Sequence, residues 1–370
     1  MSISGKILTS EERAVFALRE LYSSFGYLRY KVSKFEEYDL YARNKSFLIS
    51  ENILTFTDTN GKLMALKPDV TLSIIKNLGK SKDETHKLYY NENVYRTSAA
   101  ADGFREIMQI GLECIGKIDT YTVCEVIMLA QKSLDLISSE NILDVSHMGL
   151  ISGLLESLDA TAEDTKELLG FIENKNIPAI KALCEKIGVS EEKAASICKI
   201  TSLYAPVSVA LEEIKDLVVT DKMQAAYSEL CSICECIKGA GNADKVYLDF
   251  STVNDMNYYT GITFKGFVNG IPDGVLSGGR YDSLMSKMGK NAGAIGFAVY
   301  LDMLSRLSAD SAPYDVDTLL TYDEGADLAE VFELADKLRA EGKSVRVECG
   351  AADNVKCRER IAYSERGACK

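Results

Sequence analysis

The sequence predicts an α+β protein: a largely antiparallel sheet flanked by helices, carrying a helical insertion and a short α/β unit at its C-terminal end. Three observations carry that expectation. Strand-like runs rich in aromatic and β-branched residues occupy 87–116 and 245–281, joined by turns and polar loops. Between them, residues 150–240 change texture, with apolar positions at helical spacing and charged residues three and four apart. After Pro313 a single strand–helix–strand pattern follows. These breaks divide the chain into 1–149 with 241–310 as one discontinuous domain, 150–240 as the insertion and 311–370 as a truncated α/β unit.

Ser10 with Glu11 and Glu12 reads as the cap of a first helix, in which Val15, Leu18, Leu21 and Tyr22 recur on one face until Gly26 stops it. Extended segments follow around Phe35–Asp39, Phe47–Ile49 and Leu54–Thr57, with a turn at Asn60-Gly61. Leu63–Leu66 runs into Lys67-Pro68-Asp69-Val70-Thr71. The proline disfavours helix at Lys67 and is well placed to start one through Ile74-Ile75. Lys87–Arg96 and Phe104–Gly116 form two strands joined by a loop over Thr97–Gly103. Asp119 caps a helix to about residue 138, and Ile142–Val145 is a further strand. Beyond the insertion, Lys245–Phe250 resumes the sheet, and a helix is expected from about Phe297 to Leu307. The last unit comprises strand Val316–Tyr322, helix Ala326–Ala340 and strand Ser344–Glu348.

Composition excludes several classes of function. No apolar run approaches the roughly 18 residues of a membrane span, and the start lacks a basic-then-apolar leader, so a cytoplasmic protein is expected. A net charge of −13 without a Lys/Arg stripe disfavours a general nucleic-acid binder. Of ten cysteines, Cys114, Cys124, Cys184 and Cys198 are scattered in apolar surroundings, as reduced buried thiols are. Cys231, Cys234 and Cys236 cluster but lack a second Cys/His pair at zinc spacing, so no metal site is expected. Only His86 and His147 are present, which leaves little for histidine-based catalysis.

The stretch from Asn257-Tyr258-Tyr259-Thr260-Gly261 to Gly278-Gly279-Arg280-Tyr281-Asp282 has the residue types of a small polar-ligand pocket. Glycines at 278 and 279 permit backbone conformations or a close approach that a Cβ would forbid. Alternating aromatics on a strand also fit a plain core, so this stretch alone does not decide.

Four separated segments resemble, in order, the histidyl-tRNA synthetases, a class II aminoacyl-tRNA synthetase fold. Lys67-Pro68-Asp69-Val70-Thr71 is similar to their Arg-Pro-Glu-x-Thr segment. Tyr95-Arg96 with Phe104-Arg105-Glu106-x-x-Gln109-x-Gly111-x-Glu113 is similar to motif 2. Asn257–Gly261 resembles the end of the tyrosine-rich histidine element, and Gly278–Asp282 the glycine-rich loop. The resemblance covers roughly 10–308 and implies a histidine pocket of Asp69, Thr71, Gln109, Glu113, Tyr258, Tyr259 and Tyr281. Asp69 and Glu113 are its acceptors, Thr71 and Gln109 its neutral partners, and the tyrosines its ring contacts. Arg96, Arg105 and Arg280 are candidate anion contacts.

The departures matter as much. Adenylate formation needs cations around the phosphates, and loss of one preorganised contact typically costs about 2.7–4 kcal/mol of barrier. Where the family carries arginines, this chain has Asn254 and Met303, and the anticodon-binding end is short. Such a body resembles the regulatory-subunit branch of ATP phosphoribosyltransferase. That resemblance implies a non-catalytic chain with no cofactor, assembled with a short-form catalytic subunit. It also implies self-association as a dimer near residues 11–60, and L-histidine as effector. A divergent synthetase, or a synthetase-like protein- or RNA-binding paralogue, are the other readings; tRNA is not the expected partner.

Overall fold

The structure is a computed structural model that describes residues 8–48, 52–78, 84–98, 101–158, 160–242, 244–252, 258–306 and 314–364. The chain separates into two compact units, Met1–Leu307 and Ser308–Lys370. The strands in chain order are β1 Leu28–Arg29, β2 Phe35–Glu37, β3 Thr55–Thr57, β4 Leu63–Leu66, β5 His86–Ser98, β6 Ala101–Gly116, β7 Asn141–His147, β8 Tyr204–Pro206, β9 Val246–Asp249, β10 Ile262–Val268, β11 Leu276–Arg280 and β12 Gly293–Tyr300 in the first unit. The second unit holds β13 Val316–Tyr322, β14 Val345–Cys349 and β15 Cys357–Ala362. The helices used below are α1 Ser10–Ser24, α2 Tyr38–Ala42, α3 Thr71–Asn77, α4 Thr120–Ile137, α5 Met148–Glu156 and α6 Ala162–Glu173. They continue with α7 Ile177–Lys186, α8 Glu191–Ser202, α9 Val207–Ile214, α10 Asp221–Gly239, α11 Asp282–Lys287 and α12 Leu328–Ala340.

A nine-stranded sheet runs in the order β1-β5-β6-β12-β11-β10-β7-β9-β8. Its pairs are antiparallel except β1 with β5 and β7 with β9. Period-two alternation assigns its faces. Ile110, Leu112, Phe264, Leu143, Val145, Phe297 and Val299 enter the main apolar core, which α1 and α4 share through Leu18, Tyr22, Val126 and Leu129. The alternate residues, Gln109, Glu113, Thr263, Asp144, Gly296 and Tyr300, face the other way. Helices α5 to α10 contribute Leu154, Leu168, Ile180, Ile197, Leu211 and Leu230 to that same continuous core.

Several local expectations are corrected, among them the extended Phe35–Asp39, which turns into α2 at Tyr38, and Phe47, which ends a 3-10 turn. The first helix is capped by Thr9, not Ser10: Thr9 accepts from Glu12 N, and the Glu12 side chain accepts from Thr9 N, closing a capping box. The polar 97–103 segment is mostly strand, with β5 and β6 continuing to Ser98 and from Ala101. The segment expected to be helical from Phe297 is the strand β12 as far as Tyr300, followed by a 3-10 turn at Leu301–Arg306. Ile295, Phe297 and Val299 bury on one face while Gly296 and Ala298 keep the other flat, a period of two that a helix would scramble. Finally, the insertion is not purely helical, because β8 pairs with β9.

The second unit is a parallel sheet in the order β14-β13-β15, packed on α12. The third strand, Cys357–Ala362, adds to the expected βαβ unit, and Leu320, Val331, Ala335 and Ile361 form its own small core.

Candidate functional site

One face of the large sheet forms the floor of a cavity of about 710 Å³. Glycine makes that floor flat. A Cβ at Gly296 would run into the Glu113 carboxylate and the Leu112 carbonyl, while one at Gly278, on the core side of the sheet, would run into Gly296 O and Phe297. At Gly279 a Cβ would lie 2.6 Å from the Tyr259 ring. Neither residue of the glycine pair has positive φ, so the pair serves close packing and not unusual backbone conformation. Gly296→Ala is therefore expected to cost about 1–3 kcal/mol by overpacking, read as a lower denaturant midpoint at unchanged m-value.

Over this floor stands Glu113 on β6, 2% exposed. Thr71 Oγ1, at the start of α3, donates to its Oε1 at 2.6 Å. The Tyr281 hydroxyl donates to its Oε2 at 2.5 Å. Burial pushes the carboxyl up to about 8; the two hydrogen bonds oppose that shift, and the charge of nearby Asp69 adds to it. Asp69 is also raised, first by burial, while its Oδ1 accepts from Leu72 N at 2.8 Å and Arg96 draws it back down. Pro68 thus leads into a helix whose first turn is held by Asp69.

The aromatic wall is built by Tyr258, Tyr259 and Tyr281. Tyr258 meets Tyr259 edge-on at 4.7 Å between centroids and Tyr281 at 5.8 Å, and Phe47 closes on Tyr258 at 6.0 Å. Burial raises the Tyr258 and Tyr281 phenols well above their ordinary range, so both remain neutral donors. Gln109, four residues before Glu113 on the same strand face, is 3% exposed and its Nε2 has no hydrogen-bond partner. A buried amide donor is costly to leave unmade, so this one favours an acceptor delivered from the cavity.

The seven residues Asp69, Thr71, Gln109, Glu113, Tyr258, Tyr259 and Tyr281 therefore line one cavity. Of the three arginines, Arg96 joins them, 8% exposed, with its Nε donating to Pro68 O at 2.8 Å. Arg105 and Arg280 do not line it. Arg105 is exposed on the β5–β6 hairpin, opposite Arg96 in register. Arg280 turns its Nε to Asp282 at 2.8 Å, and its Nη1 lies 3.9 Å from Glu229 on α10. Strand alternation explains this: Tyr281 and Arg280 are neighbours in sequence, so they leave the backbone on opposite sides. Met303 lines the cavity where the resemblance leads one to expect arginine. Asn254 lies outside the described residues.

Sequence reasoning missed two features. His147 caps α5, its Nδ1 accepting from Gly149 N at 3.0 Å and its Nε2 lying 2.7 Å from Glu229, which assigns the proton to Nε2. The far end of the cavity is walled by Asp144 on β7, Asp249 on β9, Glu173 at the end of α6 and Asp273, none of which a motif singles out. Among the described residues, no group of three or more His, Cys, Asp or Glu side chains is arranged to hold a metal ion. No helix among them is long and apolar enough to cross a membrane.

The histidyl-tRNA synthetase family model matches residues 8–304. The chain is similar to the ATP phosphoribosyltransferase regulatory subunit of Clostridium kluyveri, with 30% identity over 335 residues that cover 88% of this chain and 85% of that one. Its fold is similar to an ATP phosphoribosyltransferase regulatory subunit/histidyl-tRNA synthetase from Bacillus halodurans C at TM-score 0.76 and 25% identity, covering 96% of this chain and 94% of that one. An ATP phosphoribosyl transferase complex from Thermotoga maritima has a chain of like fold at TM-score 0.62 and 19% identity, covering 78% of this chain and 96% of that one.

Proposed function

We propose that this chain, which belongs to the histidyl-tRNA synthetase family and within it to the ATP phosphoribosyltransferase regulatory subunits, uses the Glu113 end of its cavity to bind histidine as a signal and not as a substrate. As a regulatory subunit it serves the first step of histidine biosynthesis, and its partner is the short catalytic subunit.

The observation that carries the histidine reading is the pair formed by Glu113 and the unpartnered Gln109 amide, set together under three tyrosine rings. Each Glu113 oxygen takes one hydrogen bond from the protein, and a carboxylate has lone pairs for more. An imidazole or ammonium N–H supplies such a donor. Asp69 and Thr71 flank the ammonium position, Gln109 Nε2 supplies a donor to an acceptor atom of the ligand, and Tyr258 and Tyr259 pack against the ring.

The same cavity is poorly made for adenylation. Charge that builds on a transferring phosphoryl group needs preorganised cations. Among the described residues lining the cavity, the cations are Arg96 and Lys265, and carboxylates stand at both ends. Arg96 already has its Nε on Pro68 O. This supports a chain that binds the amino acid without activating it. Dimerisation near residues 11–60 belongs to the same reading, supported by Phe35 and Phe56, which pair at 5.3 Å on the exposed small sheet of β2, β4 and β3.

For histidine to regulate, its binding must favour one state of the assembly over another. Mixing this chain with the short catalytic subunit is expected to raise phosphoribosyl transfer and make it sensitive to histidine. Equal rates with and without the chain would reject the proposal. Histidine-dependent ATP–pyrophosphate exchange by the chain alone would identify a synthetase instead.

A further inference from the structure

The cavity has a second end that histidine binding at Glu113 does not use. A side chamber of about 340 Å³ opens there between Asp144 on β7, Asp249 on β9, Lys175, Tyr204, Phe267 and Ile142. Both aspartates are more than nine-tenths buried, at 6% and 7% exposure. Asp249 is fully served: its Oδ2 lies 3.0 Å from the Lys175 ammonium, and its Oδ1 accepts from Ser251 N at 2.8 Å. Asp144 is not. It meets the Tyr204 hydroxyl, but its Oδ1 is buried without a hydrogen-bond partner. Lys265 is its cross-strand neighbour, yet the Lys265 ammonium lies over the Phe267 ring at 5.3 Å. A buried carboxylate oxygen lacking a donor carries an uncompensated desolvation cost, which a donor entering from the cavity removes.

Lys175 shows which donor the chamber stabilises. Its ammonium sits 5.2 Å over the Tyr204 ring, which is itself stacked on Tyr247 at 5.0 Å, and it pairs with Asp249 at the same time. Carboxylate on one side and an aromatic face on the other is the chemistry that holds alkylammonium ions. Lys175 is also the non-glycine residue at positive φ, 49°, among the described residues, a conformation that favours glycine.

We propose that this end of the cavity is a binding site for a small alkylammonium ion, its nitrogen donating to Asp144 Oδ1 and its alkyl part lying against Phe267 and Tyr204. The site is separate from the Glu113 pocket. In the sheet, β12, β11 and β10 stand between β6 and β7, a span of roughly 19 Å at the usual strand spacing. The proposal therefore does not depend on histidine being the ligand at the other end.

Burial, and next the charge of Asp249, push the Asp144 carboxyl up to about 7, so the test is run at pH 8.5, where it is ionised. The full chain is titrated with n-butylammonium chloride and followed by saturation-transfer NMR, with sodium chloride at equal ionic strength as the control. Saturable binding is expected, weakened at least tenfold by Asp144→Asn and unchanged by Glu113→Gln. Lys175→Ala, at an exposed position, removes the competing internal ammonium and is expected to tighten binding several-fold. Signal that does not saturate beyond the sodium control overturns the proposal. So does Asp144→Asn binding as the wild type, or loss of binding in Glu113→Gln, which would place the amine in the histidine pocket. If Asp144→Asn fails to fold, Lys175→Ala decides alone, and no tightening there overturns the proposal as well.

Discussion

Glu113→Gln is expected to weaken histidine binding by roughly 30-fold or more and to remove its proton linkage. Glutamine keeps the shape of the side chain and an acceptor for Thr71 or Tyr281, but it loses the charge that a ligand N–H would meet. Truncating one member of a buried, hydrogen-bonded charge pair costs about 2–5 kcal/mol, and 1.4 kcal/mol is a factor of ten. In the free protein, burial holds the carboxyl up to about 8, so at pH 7.5 much of it is protonated. Binding a donor favours the carboxylate and releases that proton. The calorimetric heat of histidine binding at pH 7.5 should therefore vary with the ionisation enthalpy of the buffer in the wild type. In Glu113→Gln that part of the dependence should vanish; an equal dependence in both proteins would remove Glu113 from the site.

The same residue predicts a stability trend. Its folded pKa of about 8 lies above the roughly 4.3 of an unfolded glutamate. Between those values the folded state holds the extra proton, so stability of the free chain falls as pH rises through this window and levels above it. Relative to wild type, Glu113→Gln should gain stability from pH 5 to pH 8.5. A constant difference across that range would contradict the raised pKa.

Glu92→Ala is expected to destabilise the chain by about 3–5 kcal/mol, the cost of leaving a buried charge without its partner. Lys67 has a side chain with 0% exposure, and its ammonium lies 2.5 Å from Glu92 Oε2 on β5. Burial lowers the Lys67 pKa and Glu92 is the main influence opposing that shift, so removing the carboxylate leaves the desolvation largely unopposed. Glu92 Oε1 also accepts from Val32 N at 3.2 Å. Lys67 itself is tied through its backbone to Lys34 O and Tyr95 N, and it directly precedes Pro68, Asp69 and Thr71 of the pocket wall. Denaturant unfolding should show the loss, and histidine affinity should fall with it. The double replacement Lys67→Met with Glu92→Leu should recover most of the stability, because a well-packed apolar pair often equals a buried ion pair. Failure of that rescue would mean that Lys67 acts through something other than its pair with Glu92.

Much of the architecture was legible locally. The 104–116 strand that carries Gln109 and Glu113 was expected, and Asp119 capped its helix as expected. Errors fell where local signals were mixed. At 293–300 the small residues Gly293, Ala294, Gly296 and Ala298 carry weak preferences, and only pairing with β6 and β11 makes that segment a strand. At 97–103 the polar composition read as a loop, although much of the hairpin continues through it because pairing with a neighbour satisfies the backbone regardless of side-chain polarity.

By itself, the sequence determined the order of the motifs and the residue types that can hold an amino acid, since those are carried by short windows and by period-two alternation. Only the tertiary structure decided which charges meet. Tyr281 reaches Glu113 across 168 positions of chain, and Asp144 stands beside Asp249 because β7 and β9 pair in parallel over the intervening helical segment. Arg280, one residue from Tyr281, is turned instead to Asp282 and Glu229. Such pairings depend on strand register between segments far apart in sequence, which no local pattern carries.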